Sequence, residues 1–153
     1  MQGRVRVLGI VLAGILASAA ASAQSNQFVD ALLPKPAATF GQVSYLVLVA
    51  SDNIGEDADE ARAFDLLENL NWAPKGAAID KPVRLDEYAL LLVRAFGLKG
   101  GIMQTIAPSP RYAYRELTYL QVIQGRSDPG MSVSGTAAIQ MLGRIFDVLG
   151  LNK

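Results

Sequence analysis

Val83-Arg84-Leu85-Asp86-Glu87-Tyr88-Ala89-Leu90-Leu91-Leu92-Val93-Arg94-Ala95-Phe96-Gly97 is the stretch whose reading decides the fold. Its apolar residues recur at helical spacing, which predicts a helix from about Leu85 to Phe96. The acidic pair Asp86-Glu87 sits where the positive end of the helix dipole lies, and Gly97 is a natural residue just past a helix end. Fifty residues later Val133-Ser134-Gly135-Thr136-Ala137-Ala138-Ile139-Gln140-Met141-Leu142-Gly143-Arg144-Ile145-Phe146 follows the same plan, predicting a helix from about Gly135 to Leu149 that ends at Gly150.

The correspondence extends upstream of both helices. A shift of 50 residues pairs Ala63 with Ala113, Leu67 with Leu117, Leu70 with Leu120 and Val83 with Val133. It also pairs Leu92 with Leu142, Arg94 with Arg144, Phe96 with Phe146 and Gly100 with Gly150. Self-similarity at a fixed period marks a repeat architecture, here two copies of a helix–loop–helix unit. Their first helices are expected at about Glu56 to Asn71, behind the acidic start Glu56-Asp57-Ala58-Asp59-Glu60, and from Ser109-Pro110 to about Ile123. Between the last two helices, Asp128-Pro129-Gly130 signals a turn.

A partial third copy lies upstream. Ala38-Thr39-Phe40-Gly41-Gln42 aligns with Val83-Arg84-Leu85-Asp86-Glu87 and with Val133-Ser134-Gly135-Thr136-Ala137. Thr39 and Gln42 have capping-box spacing; the second copy keeps only the acid, Glu87, and the third only the hydroxyl, Ser134. A helix over about Phe40 to Ser51 is expected, with a buried strand as the rival because Val43, Val47 and Val49 are β-branched. Residues 24–38 read as a flexible lead-in with one helical turn near Phe28 to Leu33, halted by Pro34 and Pro36. The expected fold is all-α, a small bundle of about five helices built from two full and one partial repeat, in which no unit can bury its apolar stripe alone.

The unit resembles the S-layer homology repeat. The residues that carry the likeness are Ala63-x-x-x-Leu67-x-x-Leu70, the pentapeptide region Val83 to Ala89, and Arg94-Ala95-Phe96, echoed by Ala113 to Leu117, Gly125 and Arg144. The resemblance spans about Thr39 to Gly150, placing the repeat domain at 39–153. It implies a three-repeat bundle that attaches exported proteins non-covalently to cell-wall polysaccharide. The pentapeptide arginine that members of that family turn toward glycan falls here on Phe40, Leu85 and Gly135, and Arg84 stands one position too early.

Residues 1–23 read as a cleavable secretory signal: Arg4 and Arg6, an apolar run from Val7 to about Ala17, and the small-x-small site Ala21-Ser22-Ala23. The run is shorter than the roughly 20 residues of a membrane span, so no integral span is expected after cleavage. Without Arg4 and Arg6 the fourteen basic residues fall to twelve against fourteen acidic, a net charge of −2, which disfavours a nucleic-acid partner. The sequence holds no cysteine and no histidine. That removes Ser-His-Asp and Cys-His catalysis and zinc sites of ordinary type, and no Gly-x-x-x-x-Gly-Lys phosphate loop occurs. The segment Asp52 to Glu60 fails the register of a calcium loop. We therefore expect no catalytic residues, no cofactor and no metal.

Candidate contact residues for a ligand or partner remain. Trp72 stands at a loop shoulder, where it either stacks on a sugar or closes the core. Arg111, Tyr112 and Arg115 bring cationic and aromatic groups onto one helix, suiting a binding surface or straddling core and solvent. Arg84 adjoins the pentapeptide, and Arg126 and Asp128 form a local ion pair or turn contact. Arg94 and Arg144 read as anchors of their own helix ends. The expected function is an exported, non-catalytic envelope module, in the periplasm or on the cell surface, that binds cell-wall polysaccharide or another envelope protein. The alternative is a scaffold or accessory subunit of a periplasmic or outer-membrane complex without glycan binding. If the signal is processed as read, the protein recovered after export begins at Gln24, and intact-mass measurement finds residues 1–23 absent; a species retaining them would contradict the cleavage.

Overall fold

The computed structural model describes residues 25–98 and 109–151; the segment read as a signal, residues 1–23, lies outside the described residues. Among the described residues the chain forms six helices and no strand. They are α1 (25–32), α2 (Phe40–Ala50), α3 (Glu60–Asn69), α4 (Leu85–Ala95), α5 (Pro110–Tyr119) and α6 (Gly135–Leu149).

Side-chain caps set where the helices begin. Thr39 and Gln42 make the full capping box ahead of α2, with Thr39 N–H donating to Gln42 Oε1 at 3.1 Å. Ahead of α4 the Arg84 N–H donates to Glu87 Oε2 at 3.0 Å, and ahead of α6 the Ser134 hydroxyl accepts from Ala137 N–H at 3.2 Å, each a half of the same device. Asp59 accepts from Arg62 N–H at 2.8 Å and so starts α3 at Glu60, four residues later than the acidic run suggests. Ser109 caps α5 with Pro110 in its first turn.

The helix ends share one solution. In each of α2 to α6 the residue past the cap donates to a carbonyl three back and the next residue to one five back, the Schellman arrangement. Only Gly97 and Gly150 supply glycine for the left-handed position; Asp52, Asn71 and Gln121 adopt it with φ of 56°, 55° and 60°. Asn71 and Gln121 are 50 residues apart, so the repeat governs backbone conformation as well as composition. This device stops α5 at Tyr119, short of the expected Ile123.

α2 is helical, which disposes of the strand alternative. Eight of its eleven residues are buried, and a helix apolar all round belongs at a bundle's centre. It packs against α3 and α4; α4 also packs against α5 and α6.

Backbone hydrogen bonds join the three units into a closed ring. Ala38 N–H donates to Val133 O at 2.7 Å, Val83 N–H to Ala38 O at 2.9 Å, and Val133 N–H to Val83 O at 3.1 Å. These are the first residues of the three aligned pentapeptides, and all three are buried. Two residues on, Phe40 N–H donates to Lys81 O at 3.0 Å, Leu85 N–H to Met131 O at 2.8 Å and Gly135 N–H to Lys35 O at 2.9 Å. One step further, Gly41 N–H reaches Ile79 O, Asp86 N–H reaches Pro129 O, and the Thr136 hydroxyl donates to Leu33 O at 3.0 Å. The first-turn N–H groups of a helix have no partner within it, and here the connector of a neighbouring unit supplies one.

The first unit is therefore complete, with α1 as its first helix. This differs from the expected flexible lead-in with a single turn: residues 25–32 are helical, Phe28 meets Tyr45 with ring centroids 4.5 Å apart, and Leu32 is buried. Its connector to α2 is residues 33–39, whereas 70–84 and 120–134 are equal in length, so a fixed shift cannot align the first unit with the others.

Equivalent positions share out the core volume. Val43, Tyr88 and Ala138 are all fully buried, and the Tyr88 hydroxyl donates to Ala138 O at 2.9 Å. One large ring thus fills the room that alanine leaves in the next unit, and burial pushes its pKa far above the usual phenol value. At the other end of α4 and α6, Phe96 and Phe146 meet edge to face at 5.6 Å.

Gly135 shows how tightly α1 is held. A Cβ built there would lie 1.8 Å from Leu32 O and 2.6 Å from Leu32 C. Alanine normally stabilises a helical position relative to glycine, but here Gly135→Ala must displace the end of α1. We expect a loss of about 1–3 kcal/mol in chemical denaturation. Faster amide exchange across 25–33 should accompany it; an unchanged or raised midpoint would show that α1 does not dock at this position.

Candidate functional site

The connector 120–134 and one side of α6 bound a groove of about 310 Å³, to whose lining Pro36 of the first unit and Leu85 of the second also contribute. Its charged lining residues are Arg126 and Arg144. Its neutral polar ones are Gln124, Ser127, Ser132, Ser134 and Gln140, over an apolar floor that includes buried Ile123 and Met141, with exposed Met131 also in the lining. No carboxylate lines it. Such a surface offers cationic and hydrogen-bonding groups to an anionic, hydroxyl-bearing ligand, and its floor can take an apolar ring face.

Beside the groove α6 departs from its counterpart. α4 carries Leu90 and Val93, both buried, and packs against α5. Fifty residues on, α6 has exposed Gln140 and half-buried Gly143 at those positions. The connector's shape is fixed from beneath by Tyr114, whose hydroxyl donates to Ser127 O at 3.0 Å.

The paired arginines brace the connectors. Arg144 donates to Val122 O at 3.0 Å. Arg94 donates to Trp72 O at 3.0 Å and to Asn71 O at 3.3 Å. Trp72 and Val122 are themselves 50 residues apart, so one contact occurs twice. Each guanidinium thus satisfies carbonyls just beyond the first helix of its unit, and not the end of its own helix as the sequence suggests. Partial burial lowers the Arg94 pKa from its usual value.

The seven sequence-derived candidates are scattered over the molecule and do not meet in one site. Arg126 is exposed in the groove. Asp128 forms the turn contact and not the ion pair: its Oδ1 accepts from Gly130 N–H at 2.7 Å. Arg84 is exposed and held by Asp86, with Nε donating to Oδ1 at 3.1 Å and the guanidinium also reaching Oδ2. That carboxylate raises the Arg84 pKa first, with smaller contributions from Glu87 and Asp128. Trp72 is half-buried against the core, with its carbonyl holding Arg94. Arg111, Tyr112 and Arg115 lie on α5 outside the groove, the arginines exposed and the tyrosine half-buried. Arg144, Gln124, Gln140 and Ser132 were not singled out as contacts, although the pairing of Arg144 with Arg94 marks a position with a fixed job.

Among the described residues no group of three or more Asp or Glu side chains is placed to hold a metal ion, and no helix is long and apolar enough to cross a membrane. Comparison with models of known protein families, with curated proteins and with solved structures gives no match.

A hydrogen bond from a charged donor contributes about 1.5–3 kcal/mol. Arg94→Met and Arg144→Met should each lose stability in that range by chemical denaturation, and the second should also raise amide exchange in 120–134. Equal stability of both variants and the native chain would refute the bracing role.

Proposed function

We propose that this chain is an exported, non-catalytic envelope module and that its third-unit groove binds an acidic cell-wall glycan. One observation carries the reading: Arg126 and Arg144, with five neutral hydrogen-bonding side chains, line the groove without a carboxylate, in a chain of net charge −2 after loss of Arg4 and Arg6. The resemblance to S-layer homology repeats supports the same class of partner, although the arginine of that family's pentapeptide is missing from all three copies. In this reading the groove arginines take over its task from other positions. The absence of histidine and cysteine from the sequence supports a binding role over a catalytic one.

The alternative is an accessory subunit of a periplasmic or outer-membrane complex that keeps the repeats as scaffold, and the altered pentapeptides favour it. Retention on purified sacculi separates the two. The glycan reading expects the protein to bind sacculi carrying their attached polysaccharide, to release once that polysaccharide is stripped, and to lose at least about 1 kcal/mol of affinity on Arg126→Ala. Arg126 is exposed, so this variant should keep its fold. No retention on either preparation would overturn the glycan reading and leave the accessory-subunit one.

A further inference from the structure

The outer faces of α3 and α5 occupy equivalent places in successive units but carry opposite chemistry. On α5, Arg111, Arg115 and Tyr119 follow one another at four-residue intervals, all three exposed, and Tyr119 is 81 % exposed on a helix end. Among the described residues no other large apolar or aromatic side chain is as exposed. On α3, the face around Asp65, Glu68 and Asn69 is acidic and polar, Arg62 being the cation within that helix. Beside it lies a hollow of about 470 Å³ with Ile54 and Leu66 in its wall and Asp65 and Asn69 at its edge. Leu70, 37 % exposed, continues the apolar surface past the helix end.

We propose that these two faces are the halves of one contact between copies of this chain, in which Tyr119 of one copy seats in the hollow beside α3 of the next. Arg115 precedes Tyr119 by one turn and meets the acidic pair Asp65 and Glu68; Arg62 at the hollow supplies a cation for the face of the ring. Charge complementarity selects a second copy as the occupant, because the acidic surface the α5 face calls for is already present on the same chain. The two faces sit on different units, and α3 and α5 are not a packed pair within one molecule. The contact is heterologous: each copy offers one knob and one hollow, and the product is a head-to-tail chain unless its rotation closes a ring. One helix face over one hollow is smaller than the roughly 800 Å² per partner of a standard interface, so the association is weak and salt-sensitive.

Analytical ultracentrifugation of the purified protein over a wide concentration range tests this. The average mass should rise with concentration at low salt and fall back toward the monomer at 1 M salt, where the screening length is about 3 Å. Tyr119→Ser should weaken association about tenfold or more. Two further variants give the decisive arm: Arg111→Glu with Arg115→Glu makes both faces acidic, and Asp65→Arg with Glu68→Arg makes both basic. Each should be monomeric alone, and mixing them should restore association, because the acidic α5 of one then meets the basic α3 of the other. All changed residues are exposed, and unchanged circular dichroism confirms folding. A native protein that stays monomeric at every concentration, or variants that associate alone as the native chain does, would overturn the proposal.

Discussion

Three backbone hydrogen bonds, from Ala38 to Val133, Val83 to Ala38 and Val133 to Val83, hold this molecule together as one object. Each unit is a pair of short helices, and helices of ten or eleven residues are marginal in water. What makes them persist is that every second helix starts on the connector of another unit. The ring thus satisfies first-turn donors that would otherwise be buried without partners, and it brings α2, α4 and α6 together so that their apolar faces close one core.

The units are equivalent in backbone and unequal in side chains, and the inequality is where specific properties arise. Tyr88 can fill the space beside Ala138 only because the two differ. The groove beside α6 is lined by exposed Gln140, where the preceding unit has buried Leu90. Arg94 and Arg144 keep the same bracing contact in both units, so the connectors hold their shape while the surfaces around them diverge.

Most of the helical framework was legible in the sequence. The starts of α2, α4, α5 and α6 follow from their caps, and the alignment of the three pentapeptides marked Ala38, Val83 and Val133 as equivalent, the positions that form the ring. Of the first helix only a single turn near Phe28 to Leu33 was legible, and its place in a complete first unit was not, since its connector is eight residues shorter than the other two and a constant shift passes over it. The start of α3 was misplaced because acidic residues mark a helix dipole from just outside the helix as well as from within, and only the Asp59 cap decides between them. For the site, Arg126 was visible as a candidate; the groove around it was not, because it depends on how the connector 120–134 lies beside α6. The positive-φ residues Asn71 and Gln121 show a further limit: composition gives no sign of a left-handed turn where glycine is not used.

Closing the ring joins residues 38 and 133, which are separated by most of the folded length of the chain. No pair of units can close it, so all three connectors must be in place together. Each of Ala38, Val83 and Val133 takes part in two of the three bonds, so removing any one connector leaves a single ring bond in place.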